Sequence, residues 1–158
     1  MPHVWLAEPD EAEHVARLLV AFRDWYRASW PSANAFLAGV ERLIESSDTE
    51  YLLGAPNEDA PPMAVAQVRY RHSLWTASED CWLEDLYVED RARGCGLGRE
   101  MVRSVIERAI LRGCGRVELD VDDTNDSARA LYASMGFAEK HAGCALMQRP
   151  LGALRKTD

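Results

Sequence analysis

Two spacings of apolar residues divide the chain into helices and strands. Apolar side chains that recur every three or four residues mark one face of a helix, whereas short, partly alternating runs of β-branched and aromatic residues mark a strand. The first helical pattern follows Asp10 and Glu13, a pair with the spacing of a capping box, and should end near Trp30-Pro31. Its apolar face comprises Val15, Leu18, Leu19, Phe22 and Trp25.

Three further helices are predicted by the same spacing. One covers roughly residues 35–45, with Phe36, Val40, Leu43 and Ile44 on one face. Another follows the glycine-rich run RARGCGLGRE (91–100) and ends at the glycines of GCG (113–115), because glycine commonly ends a helix; its apolar face comprises Leu97, Met101, Val102, Val105, Ile106 and Ala109. The last is capped by Asn125 or Asp126, carries Ala128, Leu131 and Met135, and stops at Gly136.

Strands are predicted between these helices and after the last one. They cover residues 4–7, 51–55, 63–71, 81–88, 116–121, 137–140 and 144–151. The order is therefore β-α-α-β-β-β-α-β-α-β-β. Strand–helix–strand units imply a parallel pair, and the consecutive strands imply antiparallel meanders. We expect an α/β fold, a central mixed sheet with helices on both faces, in a single domain over residues 1–158.

Charge and composition narrow the function classes. The net charge of −8 makes nucleic acid an improbable partner and is compatible with a cationic small substrate, although it also simply aids solubility. No run of about 18 apolar residues and no signal-peptide pattern is present, so we expect neither a membrane span nor secretion, and a cytoplasmic location. The four cysteines show no CxxC spacing, so we expect reduced thiols and no metal site.

The glycine-rich run between a predicted strand and a predicted helix has the character of an anion site. The first N–H groups of a helix lack internal partners, and the helix dipole adds partial positive charge there. Glycines at 94, 96 and 98 would let a pyrophosphate approach the backbone, and Arg93 and Arg99 would add charge-assisted bonds. The ATP-type GxxxxGK[ST] loop is absent, and the GxGxG spacing is one residue short of the dinucleotide fingerprint. Taken alone, the run is also compatible with a tight turn.

A second block of residues gives the run a more specific meaning. Arg93, Gly96 and Gly98 form RxxGxG, and about thirty residues later the chain reads NDSARALYASMGF (125–137). The two blocks together resemble the GNAT superfamily of acetyl-CoA-dependent N-acetyltransferases, and the element order fits that family from residue 4 to about 149. The strand LEDLYV (83–88) is similar to that of the polyamine and thialysine acetyltransferase branch.

The resemblance implies acetyl-CoA as the cofactor and a set of residues that hold it. The pyrophosphate would lie on the corner, pantetheine would bond along the strand that ends at Val88 with RVELDV as its parallel neighbour, and the fourth helix would supply further contacts. The implied cofactor-binding residues are Leu86, Tyr87, Val88, Arg93, Gly94, Cys95, Gly96, Leu97, Gly98, Arg99, Asn125, Ala128 and Tyr132. Asn125 also fits a helix N-cap, and the two roles can coexist.

The catalytic residues implied by the resemblance are Glu84 and Tyr132. Glu84 would take the proton of the amine, usually through water, with Asp85 as its substitute, and Tyr132 would assist the departing thiolate. Strict alternation along the strand would put Leu83, Asp85 and Tyr87 on one face and Glu84, Leu86 and Val88 on the other. A solvated charge for Glu84 and simple packing for Tyr132 are the alternatives.

The acceptor amine is the least specified part of the hypothesis. Asp24, Trp25, Tyr26 and Trp30 are expected to form an acidic, aromatic cleft, with Glu84 and Asp85, for a diamine or polyamine, a lysine-like amino acid or an aminoglycoside. The aromatic residues also fit a plain core. The alternatives are a protein lysine or N-terminal acetyltransferase and a non-catalytic acyl-CoA sensor. Relatives often dimerise through C-terminal strands, so a homodimer is compatible with the resemblance.

Overall fold

Residues 1–151 are described by a computed structural model, and within them the chain divides into two compact units, one over Met1–Glu118 and one that begins at Leu119. The strands and helices of the first unit are, in chain order, β1 (His3–Leu6), α1 (Ala12–Trp25), α2 (Ala33–Leu43), β2 (Thr49–Ala55), β3 (Ala64–Ser73), β4 (Ser78–Val88), α3 (Leu97–Arg112) and β5 (Arg116–Glu118). The second unit contains α4 (Asp126–Ser134). The expectation of a single domain over the whole chain stays a prediction.

The sheet of the first unit is mixed, as the sequence predicts. Its strands lie in the order β1-β2-β3-β4-β5, and every neighbouring pair is antiparallel except β4 and β5, which are parallel. The parallel ladder is short: Asp80, Cys81 and Trp82 pair with Arg116, Val117 and Glu118. β4 continues for six residues beyond Trp82, and over that stretch β3 is its ladder partner in the first unit.

Helices cover both faces of this sheet and bury its apolar side chains. On one face, Val15 and Leu18 of α1 and Val40 of α2 share a buried cluster with Tyr51 and Val65 of the sheet. On the other face lies α3, whose side chains Leu97, Met101, Val102, Val105 and Ala109 are at most 2% exposed. Each large apolar side chain buried in this way stabilises the fold by about 1.5–3 kcal/mol. The expected α/β architecture is confirmed.

The ends of the first two helices differ from the sequence-based expectation. The capping pair before α1 is Glu8 and Glu11, not Asp10 and Glu13: the backbone N–H of Glu8 donates to Glu11 Oε1 at 3.0 Å. Pro9 favours an extended residue before it, and Glu8 has ψ 159°, so the turn begins two residues earlier than predicted. α1 ends at Trp25 rather than near Trp30, and α2 begins at Ala33 behind the N-cap Ser32.

The second unit corrects two predicted strands. Within residues 119–151 the structure contains α4 but no strand, so the strands predicted over 137–140 and 144–151 are wrong. The predicted strand RVELDV is also shortened to Arg116–Glu118. A strand needs a ladder partner, and sequence periodicity does not report one. Leu146 and Met147 are instead 67% and 88% exposed.

None of the helices within residues 1–151 combines the length and the apolar character that a membrane crossing requires. In the same part of the chain, no three or more His, Cys, Asp or Glu side chains come together as a candidate metal site.

Candidate functional site

A cavity of about 510 Å³ lies in the first unit, between α1, α2, their connection and one face of the sheet. This volume falls in the range of small-molecule sites, roughly 300–1,000 Å³. Its wall is mainly aromatic and aliphatic, and two polar side chains of the sheet, Gln67 on β3 and Asp85 on β4, form part of the lining. The aromatic members are Phe22, Tyr26, Trp30, Phe36 and Tyr51.

The sheet has a β-bulge beside the cavity. Gln67 of β3 opposes Asp85 of β4, and the next residue, Val68, opposes Leu83, so Glu84 is an extra residue in β4. A bulge re-aims side chains and is over-represented next to active sites. The bulge therefore determines which carboxylates of β4 face the cavity.

The bulge overturns the strict alternation expected along β4. Asp85 and Tyr87 lie opposite Gln67 and Val65, whereas Leu83 lies opposite Val68, on the other face of the sheet. Leu83 therefore faces the side covered by α3 and does not share a face with Asp85 and Tyr87. The extra residue shifts the phase by one position, and each side chain before it changes face relative to those after it.

A hydrogen bond and an ion pair hold the Glu84 side chain on the face of the sheet that borders the cavity. Gln67 Nε2 donates to Glu84 Oε2 at 2.6 Å, and Arg69 lies 3.8 Å from the same oxygen. Gln67 is buried, whereas the Glu84 side chain is 42% exposed. Arg69 Nε is buried, and no acceptor within residues 1–151 takes its hydrogen bond. Glu84 thus lies outside the cavity lining, but its carboxylate is hydrogen-bonded to Gln67, which lines the cavity.

Tyr51 adds a neutral hydroxyl to the cavity wall. Burial raises the pKa of this phenol well above its ordinary value of 10.0; Asp85 and Glu84 raise it further, while Arg69 opposes them. The phenol therefore stays protonated throughout the physiological range, and the cavity gains no negative charge from Tyr51.

The structure separates the residues predicted to bind the acceptor. Tyr26 and Asp85 line the cavity, whereas Asp24, Trp25 and Glu84 lie outside its lining. Asp24 is 59% exposed in its side chain and forms an ion pair with Arg23 at 2.7 Å. It therefore does not give the cavity the acidic wall that we expected from the sequence.

The glycine corner begins α3 with left-handed backbone. Gly94 and Gly96 have φ of 80° and 87°, values that glycine adopts readily, and Gly96 is the N-cap of α3. The first intrahelical bond runs from Glu100 N–H to Gly96 O, so the amides of residues 96–99 precede the helical ladder. A Cβ built at Gly94 or Gly96 would meet no atom within 4 Å, so space is open above the turn. This geometry fits a phosphate group.

Arg93 is already engaged by its own chain. Its Nε donates to the carbonyl oxygen of Val88 at 2.9 Å, and its guanidinium lies 3.1 Å from Asp90 and over the ring of Trp25 at 5.8 Å. Trp25 therefore packs against the arginine of the glycine corner rather than in the cavity. An anion on the corner would compete with Asp90 for this guanidinium.

The corner's other predicted members divide into buried and exposed residues. Leu97 is 1% exposed and serves the core under α3, while Cys95 is exposed and its Sγ donates to Ala92 O at 3.2 Å. Only their backbone groups suit a ligand.

The carboxyl end of β4 directs backbone groups away from β3. Glu89 N–H donates to Met63 O on the β3 side. Since successive residues of a strand point their backbone groups to opposite sides, those of Leu86 and Val88 point to the edge where β5 has already ended. On that edge no strand of the first unit pairs with β4 beyond Trp82, which suits a ligand that bonds like an added strand.

The remaining predicted residues belong to the second unit. Asn125 is the N-cap of α4, and its Oδ1 accepts a hydrogen bond from Ala128 N–H at 3.2 Å. The Tyr132 ring meets Phe137 edge-on at 5.7 Å between centroids. Gly136, with φ of 90°, ends the helix as predicted. The roles of Asn125, Ala128 and Tyr132 toward a cofactor stay predictions.

Sequence reasoning missed Gln67 and Phe36 as parts of the site. Gln67 sits in a run of apolar strand residues and is 7% exposed, and a buried amide in such a run is the signal that would have pointed to it. Phe36 appeared only as one member of the apolar face of α2, and nothing in the pattern separates a core residue from one that lines a cavity.

Comparison with known proteins agrees with this geometry. Residues 16–137 match the model of the Acetyltransferase (GNAT) family. The chain is 36% identical over 87 residues to the thialysine N-epsilon-acetyltransferase of Bos taurus, covering 54% of this chain and 51% of that protein. It is 31% identical over 116 residues to the aminoglycoside N(6')-acetyltransferase type 1 of Serratia marcescens, covering 71% of this chain and 80% of that protein.

A solved structure supports the fold independently. An aminoglycoside acetyltransferase from an uncultured soil metagenomic sample superimposes with a TM-score of 0.80, covering 95% of this chain and 96% of that one, at 12% identity. The chain spans about half the length of the thialysine acetyltransferases that it matches. The family resemblance read from the two sequence blocks is confirmed. With the match covering residues 16–137, the chain belongs to the acetyltransferase (GNAT) family.

Proposed function

We propose that this protein transfers an acetyl group from acetyl-CoA to a primary amine of a small molecule bound in the cavity. The observation that carries the proposal is the bulge in β4: it places Asp85 on the cavity lining and Glu84 one hydrogen bond away through Gln67. The same strand runs directly into the glycine corner that begins α3. Acceptor pocket and anion site are thus built on one strand.

Acetyl-CoA supplies an acetyl thioester, whose carbonyl carbon is the electrophile. The chain's own groups that fit acetyl-CoA are the amides of residues 96–99, the guanidinium groups of Arg93 and Arg99, the backbone of Leu86 and the N–H of Val88. The carbonyl oxygen of Val88 already accepts a hydrogen bond from Arg93 Nε. Open space above Gly94 and Gly96 supports this assignment. Asn125, Ala128 and Tyr132 would complete the cofactor contacts from α4, as the family motif implies.

The nucleophile must lose a proton before it attacks. An alkylammonium with a pKa near 10.4 is neutral in roughly one molecule in 2,000 at pH 7. We assign the ammonium contact to Asp85 and the removal of the proton to Glu84, acting through water. The amide of Gln67 and the guanidinium of Arg69 flank Glu84. The buried Arg69 Nε, which has no acceptor within residues 1–151, would suit a bound water.

The departing thiolate is the other group of the reaction on which charge must be stabilised. A thiol near pKa 8.5 leaves without much help, so a hydrogen bond from a phenol with a pKa near 10 gives modest assistance. We assign this donation to the Tyr132 hydroxyl.

A small-molecule acceptor is supported by the cavity volume and by the names of the relatives, which act on thialysine and aminoglycosides. A protein acceptor is the alternative that the experiment separates.

A thiol-release assay tests the proposal. The full chain is incubated with acetyl-CoA and either a panel of small primary amines or lysine-containing peptides, and titration calorimetry with coenzyme A is run in parallel. We expect release with small amines and little with peptides. Release with peptides alone would move the acceptor to proteins, and coenzyme A binding without release would indicate a sensor.

Two variants test the roles proposed for the carboxylates of Asp85 and Glu84. We expect Asp85→Asn to act mainly on KM and Glu84→Gln mainly on kcat, because the first loses the ammonium contact and the second the proton acceptor. The deficit of Glu84→Gln should shrink as the pH rises from 7 to 9, since the amine then loses its proton to solvent. A deficit independent of pH would remove Glu84 from proton transfer.

A further inference from the structure

A buried amide lies in the wall that the sheet contributes to the cavity. Gln67 of β3 is 7% exposed and lines the cavity. Its neighbours in the sheet are Tyr51 of β2 on one side and Asp85 of β4 on the other, and both of these residues also line the cavity. A polar side chain buried in such a place costs free energy unless its groups form hydrogen bonds. Packing alone therefore does not explain a carboxamide at this position.

One end of the amide is directed at Glu84. Gln67 Nε2 donates to Glu84 Oε2 at 2.6 Å, and an ionised carboxylate accepts hydrogen bonds without donating any. The nitrogen of the amide, not its oxygen, must therefore face Glu84. Since Nε2 and Oε1 diverge from one planar carbon, Oε1 points away from this carboxylate oxygen. It is also the only group of the amide that can accept a hydrogen bond from a ligand.

The bulge makes the contact with Gln67 important for Glu84. As the extra residue of β4, Glu84 is left out of the register between the pairs Gln67–Asp85 and Val68–Leu83. Its side chain is 42% exposed, and Arg69 lies 3.8 Å from it, which is long for an ion pair. An ion pair so open to water restrains a side chain weakly. The hydrogen bond from Gln67 is thus the shorter and more directional contact of the Glu84 carboxylate.

We propose that Gln67 is a positioning residue that acts on both partners of the proton transfer. Its Nε2 holds the Glu84 carboxylate beside the cavity, and its Oε1 accepts an N–H of the acceptor amine. The nitrogen of a primary amine carries two hydrogens when it attacks the thioester. As the C–N bond forms and the C–S bond breaks, one proton leaves through water to Glu84, and the other hydrogen stays on the nitrogen, bonded to Oε1. This role rests on the proposed function, in which Glu84 takes the proton.

Two replacements of Gln67 separate the two ends of its amide. Gln67→Met has a similar volume and removes both hydrogen bonds, so we expect kcat to fall about tenfold or more and KM for the amine to rise about 2- to 10-fold. Gln67→Glu keeps an oxygen toward the cavity but puts a second carboxyl group beside Glu84, and two carboxyl groups this close repel each other or share a proton. It should lower kcat to a similar extent and leave KM within about twofold.

A double variant shows whether Gln67 acts through Glu84. Once Glu84→Gln has removed the proton acceptor, the position of that side chain matters little, so adding Gln67→Met should lower kcat by less than about twofold. The rise in KM should persist, because the contact of Oε1 with the amine does not involve Glu84. Losses of kcat that multiply in the double variant would overturn the positioning role. An unchanged KM in Gln67→Met would overturn the contact with the amine.

Thr49→Val is the matched control for the loss of a buried polar group. Thr49 of β2 is 3% exposed, lies outside the cavity lining, and donates from its hydroxyl to Asp48 Oδ1 at 3.0 Å. It pairs with Arg69, two residues from Gln67, and so lies on the same face of the sheet. This variant should keep kcat and KM within about twofold of the parent, and melting curves of all variants check folding.

The outcomes separate the role of Gln67 from the proposed function. If Thr49→Val loses as much kcat as Gln67→Met, or if both Gln67 variants retain the kcat of the parent, the role of Gln67 is overturned while acetyl transfer stands. Absence of thiol release by the parent protein with every amine of the panel would overturn the proposed function and this role together. If Gln67→Met does not fold, Gln67→Glu alone and in the Glu84→Gln background still measures the kcat effect.

Discussion

The hydroxyl of Tyr132 is the smallest group on which the proposed chemistry depends. Tyr132→Phe keeps the ring and so preserves its edge-on contact with Phe137 at 5.7 Å. We expect kcat to fall by about 10- to 1,000-fold, at or below the range usual for a lost general acid. Steady-state kinetics with a saturating amine measure this, and a kcat equal to that of the parent would remove Tyr132 from the mechanism.

Glycine residues show how one methyl group can have opposite effects on stability. A Cβ at Gly54 of β2 would lie 2.5 Å from Met101 Sδ and 3.0 Å from Leu97 Cδ1, both buried in the α3 layer. Gly54→Ala should therefore destabilise the fold by about 1–3 kcal/mol, as overpacking does. Gly39→Ala, within α2 and free of clashes, should stabilise it by about 0.5–1 kcal/mol.

Urea unfolding of both alanine variants measures these free energies. A gain of stability in Gly54→Ala would mean that packing around Gly54 adapts more readily than its neighbours suggest. A loss in Gly39→Ala would contradict the expected benefit of alanine within α2.

At the level of residues, the sequence predicted correctly those positions where a particular residue type is needed for an unusual backbone conformation. The glycine corner, the N-cap at Asn125 and the helix stops at Gly113 and Gly136 follow from conformations that few residues adopt, and the structure has left-handed glycines at 94, 96, 113 and 136. The cavity was only half predicted, because whether Trp25 or Phe36 lines it depends on where the α1–α2 connection places each ring.

An ion pair joins the element β2 to the element α3 and makes their packing sensitive to pH. Glu50 Oε1 and Oε2 accept bonds from Arg108 at 2.6 and 2.8 Å, and Oε2 also accepts from the Tyr70 hydroxyl at 2.9 Å. Burial alone would raise the pKa of Glu50, but these hydrogen bonds outweigh it and lower the pKa below its ordinary value of 4.5. The folded state therefore binds the proton more weakly than the unfolded chain.

The sign of the pH effect follows from that lowered pKa. The contribution of Glu50 to stability is fully present above pH 4.5 and is lost as the pH falls below it, through the folded-state pKa. Glu50→Gln should reduce the free energy of unfolding by about 1–2 kcal/mol at pH 7, and by less at pH 3. Chemical denaturation at both pH values measures this difference.

The same helix provides a control for this substitution. Arg103 and Glu107 form an ion pair on α3 whose side chains are 54% and 58% exposed. Glu107→Gln should change stability by less than about 0.5 kcal/mol at either pH. Equal losses in the two variants would mean that burial of the Glu50 pair contributes nothing.

At the level of elements, the sequence predicted the helices and the strands of the sheet interior correctly. The prediction failed where a ladder partner decides whether a segment forms a strand, and in which register. The bulge at Glu84 is invisible in LEDLYV, because it exists only in the register between β3 and β4. Residues 137–151 have strand-like composition but no ladder partner in the described chain, so their backbone does not form a strand.

At the scale of the whole molecule, coenzyme A should stabilise the fold because it binds the native state. A concentration of 100 times its Kd corresponds to about 2.7 kcal/mol, which should raise the melting temperature by several degrees.

Gly96→Ala and Gly113→Ala place the same strain at the two ends of α3, where φ is 87° and 82°. Only Gly96→Ala should also weaken coenzyme A, by about tenfold or more, because its methyl group occupies the anion's approach.

Differential scanning fluorimetry with increasing coenzyme A separates strain from binding in these two variants. A loss of the ligand-induced shift in both, or in neither, would contradict a pyrophosphate site at the start of α3.

A homodimer and a cytoplasmic location, expected from the sequence, stay predictions that sedimentation velocity and cell fractionation would test.

The extra residue in β4 has a consequence for how this protein tolerates change in chain length. Deleting Glu84 would make Leu83 and Asp85 neighbours, and these two residues already lie opposite Val68 and Gln67. The ladder between β3 and β4 would then become regular, and every remaining side chain would keep its present face of the sheet. Position 84 is therefore a place in β4 where the chain can be shortened by one residue without moving any side chain to the other face.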